Sequence, residues 1–257
     1  MVKGLYTAYT GMLNQQNRMD VLTNNLANSS TTGYKKEGST SQSFDTVLAY
    51  KIKDTSEATN SKYIGKMNLG VKIGENYTDY TQGAFKSTGN TYDFAISGEG
   101  FFAVEFTNKA NETSTKYTRD GSFTLTSEGY LVTKDGGYLL DANDNKIKLN
   151  PLLDSSVDEL GRVSQGGKVV AQVGLTDFED YDYLEHYGEN YYQPVEGAET
   201  KDSTATIFPG YLETSNVQVV SEMVELISVT RAYESNQKII QTIDGSLDIA
   251  ANQLGKL

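Results

Sequence analysis

The closing stretch, SNVQVVSEMVELISVTRAYESNQKIIQTIDGSLDIAANQLGKL (residues 215–257), constrains the fold more than any other part of the chain. It holds no proline, and no glycine before Gly245. Proline is the residue that most firmly stops a helix, because it lacks the amide N–H and clashes with the preceding turn. The spacing predicts one long helix. With Val219 as position a of a heptad, the next a positions are Leu226, Tyr233, Ile240, Leu247 and Leu254, and the d positions are Glu222, Val229, Asn236, Ile243, Ala250 and Leu257. Every a site and four of the six d sites are apolar or aromatic, giving a coiled-coil-like seam with polar breaks at Glu222 and Asn236. Ser215 followed by Gln218 has the form of a capping box. Gly245 weakens the last turns by up to ~1 kcal/mol relative to alanine. At about 1.5 Å per residue the run extends roughly 60 Å, about twice the width of a small domain. A helix of that length raises the question of what covers it.

The opening stretch repeats the pattern on a smaller scale. Leu5, Ala8, Met12, Met19, Leu22 and Leu26 follow a 3-4 spacing broken at Gln15, and the run stops at the cluster NSSTTG (28–33). Two readings stay open at this point. The stripes can pair within the chain and close a single domain, or they can meet other subunits.

The middle changes period. DFAISGEGFFAVEF (93–106) reads as strand, tight turn, strand. In YTRDGSFTLTSEGYLVTKDGGYLLDAND (117–144), glycines punctuate short apolar runs, and the Asp-Gly pairs at 120–121 and 135–136 are hairpin signals. GKVVAQVGLTDF (167–178) reads as a further strand pair. The expected class is α+β: long N- and C-terminal helices forming a coiled-coil-like pair, with a central, mainly antiparallel β domain. The expected division is a terminal helical domain (1–30 and 212–257), an extended connector (31–75) and a β-rich domain (76–211).

Several function classes fall away. A formal net charge of -12 and no basic cluster longer than Lys35-Lys36 speak against nucleic acid. Cysteine is absent, which excludes disulfides and thiolate metal sites. No run of about 18 apolar residues occurs, so no stable membrane insertion is expected. The N-terminal MVKGLYTAYTGML lacks the apolar core of a secretory leader, so any export is expected to use another route. His186 is the one histidine and no G-x-S-x-G elbow accompanies it; a surface role is expected. GEGFFA (98–103) matches a loose dinucleotide pattern, but a strand follows where a helix is needed. GRVSQGGK (161–168) resembles a phosphate loop, but Gly167 stands in the lysine position. DANDNKIKLNPL (141–152) has Asp141, Asn143 and Asn145 at calcium-loop spacing, but Lys146 and Leu152 replace the required Gly and Glu. No catalytic residue, cofactor or metal site is expected.

Three segments then point to one family. GLYTAYTGMLNQQNRMDVLTNNLANSSTTGYK (4–35), with Asn24, Asn25, Leu26, Ala27 and Asn28 and then Thr32, Gly33, Tyr34 and Lys35, resembles the N-terminal signature of the bacterial flagellar rod and hook proteins. FAISGEGFFAV (94–104) looks like that family's β-domain motif. GYLETSNVQVVSEMVELISVTRAYESNQKIIQTID (210–244) is similar to its C-terminal signature, above all at Ser215-Asn216-Val217 and Arg231-Ala232-Tyr233. The resemblance implies a structural subunit of the basal-body rod, of the proximal or distal type. It implies polymerisation through the terminal helices, with partners that are further copies, other rod and hook proteins, and the flagellar type III export apparatus. The expected place is the flagellar basal body, reached without a cleaved signal peptide. Leu5, Ala8, Met12, Met19, Leu22, Leu26, Val219, Leu226, Val229, Tyr233, Ile240, Ile243, Leu247 and Leu254 are the expected assembly residues. Asn24, Asn25, Ala27, Asn28, Gly33 and Tyr34 form the family-motif turn. The alternative is a secreted β-rich adhesive or carbohydrate-binding protein with helical ends.

Overall fold

The computed structural model describes residues 2–51, 62–107, 113–188 and 190–252. Helix α1 spans Val2–Ala27 and helix α2 spans Val219–Asn252, and the described residues between them are mainly strands, paired antiparallel. This is the α+β arrangement expected from the sequence. Contacts divide the chain into two units. The first comprises Met1–Ala27, Glu37–Asp79 and Gln218–Leu257; the second comprises Asn28–Lys36 and Tyr80–Val217.

The first unit contains both helices and a pair of two-stranded ribbons. Glu37–Ser43 pairs with Val71–Thr78, and Val47–Lys51 pairs with Lys62–Met67. The stretch expected as an extended connector is thus split between the units, and most of it is paired strand. The strand Glu37–Ser43, EGSTSQS, hides this because it carries no apolar side chain to alternate. The ribbon is held by backbone bonds supplemented by hydroxyls: Thr40 Oγ1 donates to Glu75 O at 3.0 Å and accepts from Glu75 N at 2.9 Å.

Helix α2 does not start from a capping box. Ser215 Oγ accepts from Val217 N at 3.2 Å in a local turn, and the first helical bond runs from Glu222 N to Gln218 O at 3.0 Å. Gln218 is therefore the cap position, and its own carbonyl also receives the Ser221 hydroxyl.

The second unit is built around the strand Phe101–Thr107, which pairs with Thr113–Thr118, Tyr138–Leu139 and Leu175–Phe178. Alternation along this strand sends neighbouring phenylalanines to opposite faces. Phe102 joins Phe94, Ile96, Val104, Phe123, Leu139 and Ile207 in the larger core, while Phe101 packs with Phe178 and Tyr192 in a smaller aromatic one. Phe102 meets Phe123 edge to face at 5.3 Å, a favourable arrangement for two ring quadrupoles.

The turns divide into those that make hairpins and those that do not. Lys134-Asp135-Gly136 closes a true hairpin, with Gly136 N donating to Thr133 O and Val132 opposite Tyr138. Asp120-Gly121 does not join paired strands. Gly121 instead lies against Phe94, where an added Cβ would sit 1.7 Å from Phe94 O, so glycine is needed for close approach. The SGEG turn at 97–100 likewise links strands of different sheets: Phe94–Ser97 pairs with Thr206–Pro209. Lys168–Gln172 and Leu175–Phe178 also pair elsewhere, with Arg162–Gln165 and Thr200–Asp202 respectively.

Candidate functional site

The two helices pack antiparallel, and the seam can be followed residue by residue. Gly4 lies against Ile243, Gly11 against Asn236, Arg18 bonds Glu225 at 2.6 Å, and Asn25 Nδ2 donates to Glu222 Oε2 at 3.3 Å. On α2 the heptad d positions Glu222, Val229, Asn236 and Ile243 thus run along the pair, with Val229 and Glu222 fully buried. Both polar breaks are matched on α1. Glu222 receives the Asn25 amide, and Asn236 fits because residue 11 has no side chain: a Cβ there would lie 3.1 Å from its Nδ2.

A neighbouring flank of α1 is also covered. Thr7 Oγ1 donates to Leu69 O, Asn14 exchanges hydrogen bonds with Ser41 Oγ at 2.9 and 3.0 Å, and Asn25 grips the Glu37 backbone through both its amide nitrogen and its oxygen. Sequence reasoning missed this flank because its residues are Thr and Asn rather than apolar.

The expected assembly residues therefore have different surroundings. Ala8, Leu22 and Val229 are buried. Leu5, Met12, Met19, Leu26, Leu226, Tyr233, Ile240 and Ile243 are half-buried, whereas Val219 and Leu247 are exposed. Leu254 lies outside the described residues. A second set of apolar residues is left open. On α2, Val220, Met223, Val224 and Ile227 lie at i, i+3, i+4 and i+7 on one face, with exposures from 46% to 77%. On α1, Tyr6, Tyr9 and Leu13 form a shorter exposed stripe. The antiparallel register sets these stripes at opposite ends of the helix pair, since Gly11 lies at Asn236 and Arg18 at Glu225. Next to Ile227, a shallow groove is lined by Leu226, Thr230, Arg231 and Glu234.

The family-motif turn separates into distinct roles. Asn24 and Ala27 are exposed on α1, whereas Asn25 is buried. Asn28 accepts the Thr31 amide on its carbonyl and the Thr31 hydroxyl on its side chain. Gly33 takes φ +69°, donates its N–H to Glu213 O at 2.8 Å, and would place a Cβ 2.4 Å from the Arg119 backbone. Tyr34 and Lys35 are buried beside it. Lys35 Nζ bonds Glu213 Oε1 at 2.7 Å and Thr81 O at 2.9 Å, and Arg119 reaches Glu213 Oε2 at 3.4 Å and Gly98 O at 3.0 Å. Gly83 N completes the carboxylate's partners at 2.8 Å. This buried Lys–Glu–Arg network ties the motif loop to the strand Tyr211–Glu213, and sequence reasoning did not foresee it.

His186 is half-buried, edge-on to Tyr192 at 5.4 Å, rather than fully at the surface. Asp141 Oδ1 accepts from the Ala142 and Gln172 amides, and Asp144 closes the turn at φ 60°. Among the described residues, no group of three or more His, Asp or Glu is placed to hold a metal ion, and no helix is long and apolar enough to cross a membrane.

One unit that pairs the two terminal helices and leaves apolar stripes open, and a second unit built of strands, have the make-up of a structural subunit. Comparison with known families agrees. Residues 5–35 match the family described as flagella basal body rod protein, residues 95–171 the flagellar hook protein FlgE/F/G D1 domain, and residues 209–254 the flagellar basal body rod FlgEFG protein C-terminal region. The chain is 34% identical to the flagellar basal-body rod protein FlgG of Bacillus subtilis (strain 168), over 98% of this chain and 99% of that one. It is 35% identical to the flagellar basal-body rod protein FlgF of Caulobacter vibrioides over the full length of both, and 32% identical to the flagellar hook-basal body complex protein FlhO of Bacillus subtilis, again over both full lengths. The chain belongs to the flagellar basal-body rod protein family, whose members are structural subunits.

Proposed function

We propose that this chain polymerises as a subunit of the flagellar rod, the axial shaft between motor and hook, and that it does so through its terminal helices. The carrying observation is the open stripe Val220, Met223, Val224 and Ile227, which the chain's own α1 leaves uncovered. Fully burying such a side chain contributes about 1.5–3 kcal/mol before ordering costs. Monomers rarely expose contiguous apolar faces without an interaction to make. Two different stripes at opposite ends of one helix pair suit a head-to-tail contact, which repeats without closing and so builds a filament. On this reading the helical unit makes the contacts between subunits. The half-buried Leu226, Tyr233 and Ile240 become fully covered on assembly. Export proceeds through the flagellar type III apparatus, and the chain's partners are further copies and the other axial proteins.

Mass spectrometry of purified hook–basal bodies, beside cytosol and culture medium, tests the placement. Enrichment in the basal body is expected. Its absence there, with free protein in the medium, would instead favour a secreted binding protein.

A further inference from the structure

We infer that a cleft of about 590 Å³ in the β unit, walled on one side by the motif loop, binds a guanidinium group such as an arginine side chain presented by a protein segment. The deciding atom is the side-chain oxygen of Asn190. This residue is only 7% exposed, and its amide nitrogen donates to Thr32 O at 2.6 Å. That bond fixes the orientation of the amide, because a carbonyl oxygen cannot receive from another oxygen acceptor. Asn190 Oδ1 is therefore left as a buried acceptor with no hydrogen-bond donor among the described residues. Buried polar atoms are nearly always satisfied, so an orphan lining a cleft calls for a donor from outside.

The rest of the lining says what kind of donor. Asp120 and Asp135 both line the cleft. Asp120 uses Oδ1 to accept from Thr32 and Ser122, and Asp135 uses Oδ2 to accept from Tyr191, so each keeps an oxygen for a ligand. Both carboxylates also help to raise the Tyr191 pKa, after its burial, so their fields converge on one place. Against these three acceptors stands, among the described residues of the lining, a single cation, Lys134. An anion is disfavoured by that balance. A sugar lacks an open ring to stack on: Lys116 already lies over Tyr187 at 4.1 Å, and Tyr191 packs against Phe106 at 5.1 Å. Among the described residues, no three His, Asp or Glu are placed together to hold a metal ion. A guanidinium carries five donors and no acceptor in one plane, which suits two carboxylates and an amide oxygen.

The test titrates the full-length chain with Nα-acetyl-arginine amide and follows the Asn190 side-chain amide and Tyr187 ring by NMR. Calcium chloride and maltotriose serve as comparison probes. A saturable shift with Kd on the order of 1 mM is expected for arginine amide. Asp135→Asn should weaken it about tenfold, and Lys134→Ala, which removes the competing charge, should tighten it. Both positions are exposed, so both variants should fold. Opposite signs from neighbouring substitutions are not expected of a general loss of structure. The inference is overturned if arginine amide gives no saturable shift, if both variants respond like the parent chain, or if calcium or maltotriose moves these signals and arginine amide does not.

Discussion

At the scale of single residues, Glu213 shows how much of the motif's meaning lies in distant partners. Its carboxylate, 1% exposed, is shared by Lys35, Arg119 and the Gly83 amide. Removing one member of a buried ion pair leaves an uncompensated charge and typically costs about 3–5 kcal/mol. Glu213→Ala should lower the unfolding free energy of the β unit, read from urea titration, by that margin, and a loss below about 1 kcal/mol would show that solvent already compensates these charges. The Thr32-Gly33-Tyr34-Lys35 signature was legible as a motif. Its role was not, because Lys35 and Glu213 stand 178 positions apart and nothing local in either segment marks a pair. Tyr181 and Tyr191 make a second prediction. Burial is the largest cause holding both phenols well above their ordinary pKa, aided at Tyr181 by its bond to Asp177 and at Tyr191 by its bond to Asp135. A phenol whose folded pKa exceeds its unfolded value of about 10 contributes stability that is complete below that pH and is lost as pH rises beyond it. Urea unfolding should therefore show falling stability above about pH 10, with a smaller fall in Tyr181→Phe and Tyr191→Phe. An unchanged slope in both variants would assign the loss elsewhere.

At the scale of elements, the two helices were not equally readable. The heptad on α2 predicted its inward face, including the two polar positions, because that face is mostly aliphatic. The α1 seam runs through Gly4, Gly11, Arg18 and Asn25, seven apart, and a hydropathy pattern cannot see a glycine that matters for its absent side chain. Hence the apolar stripe read from the sequence shares Ala8 and Leu22 with the buried residues but places the rest one position round the helix. Gly11→Val tests this directly. Asn236 cannot keep its place against a branched side chain, and overpacking of this kind costs about 1–3 kcal/mol. Hydrogen exchange across α1 and α2 should quicken while the β unit stays protected. Leu226→Asp or Ile240→Asp should likewise loosen the helix pair and leave the sheet signal in circular dichroism intact. Loss of the sheet signal would mean that the β unit depends on the helices for its fold. The ribbon Glu37–Ser43 with Val71–Thr78 went unread for a related reason: its order comes from backbone and hydroxyl bonds, and its first strand carries no apolar side chain.

At the scale of the whole molecule, the fold class was legible because the change of period from helix to strand occurs twice and glycines mark the turns between. The cleft at Asn190 was not, since it assembles residues from the motif loop, the 120 turn, the 135 turn and the strand Tyr191–Pro194. The claim on which the functional account rests is that the outer face of α2 is covered by a neighbouring subunit. The chain has no cysteine, so Val224→Cys introduces one thiol at an exposed site. Its rate of reaction with a soluble maleimide can be compared in the free protein and in purified hook–basal bodies. The account predicts rapid labelling of the free chain and protection by at least about tenfold in the assembled structure. Equal rates in both, from a variant that still enters the basal body, would show this face open to solvent and contradict the account.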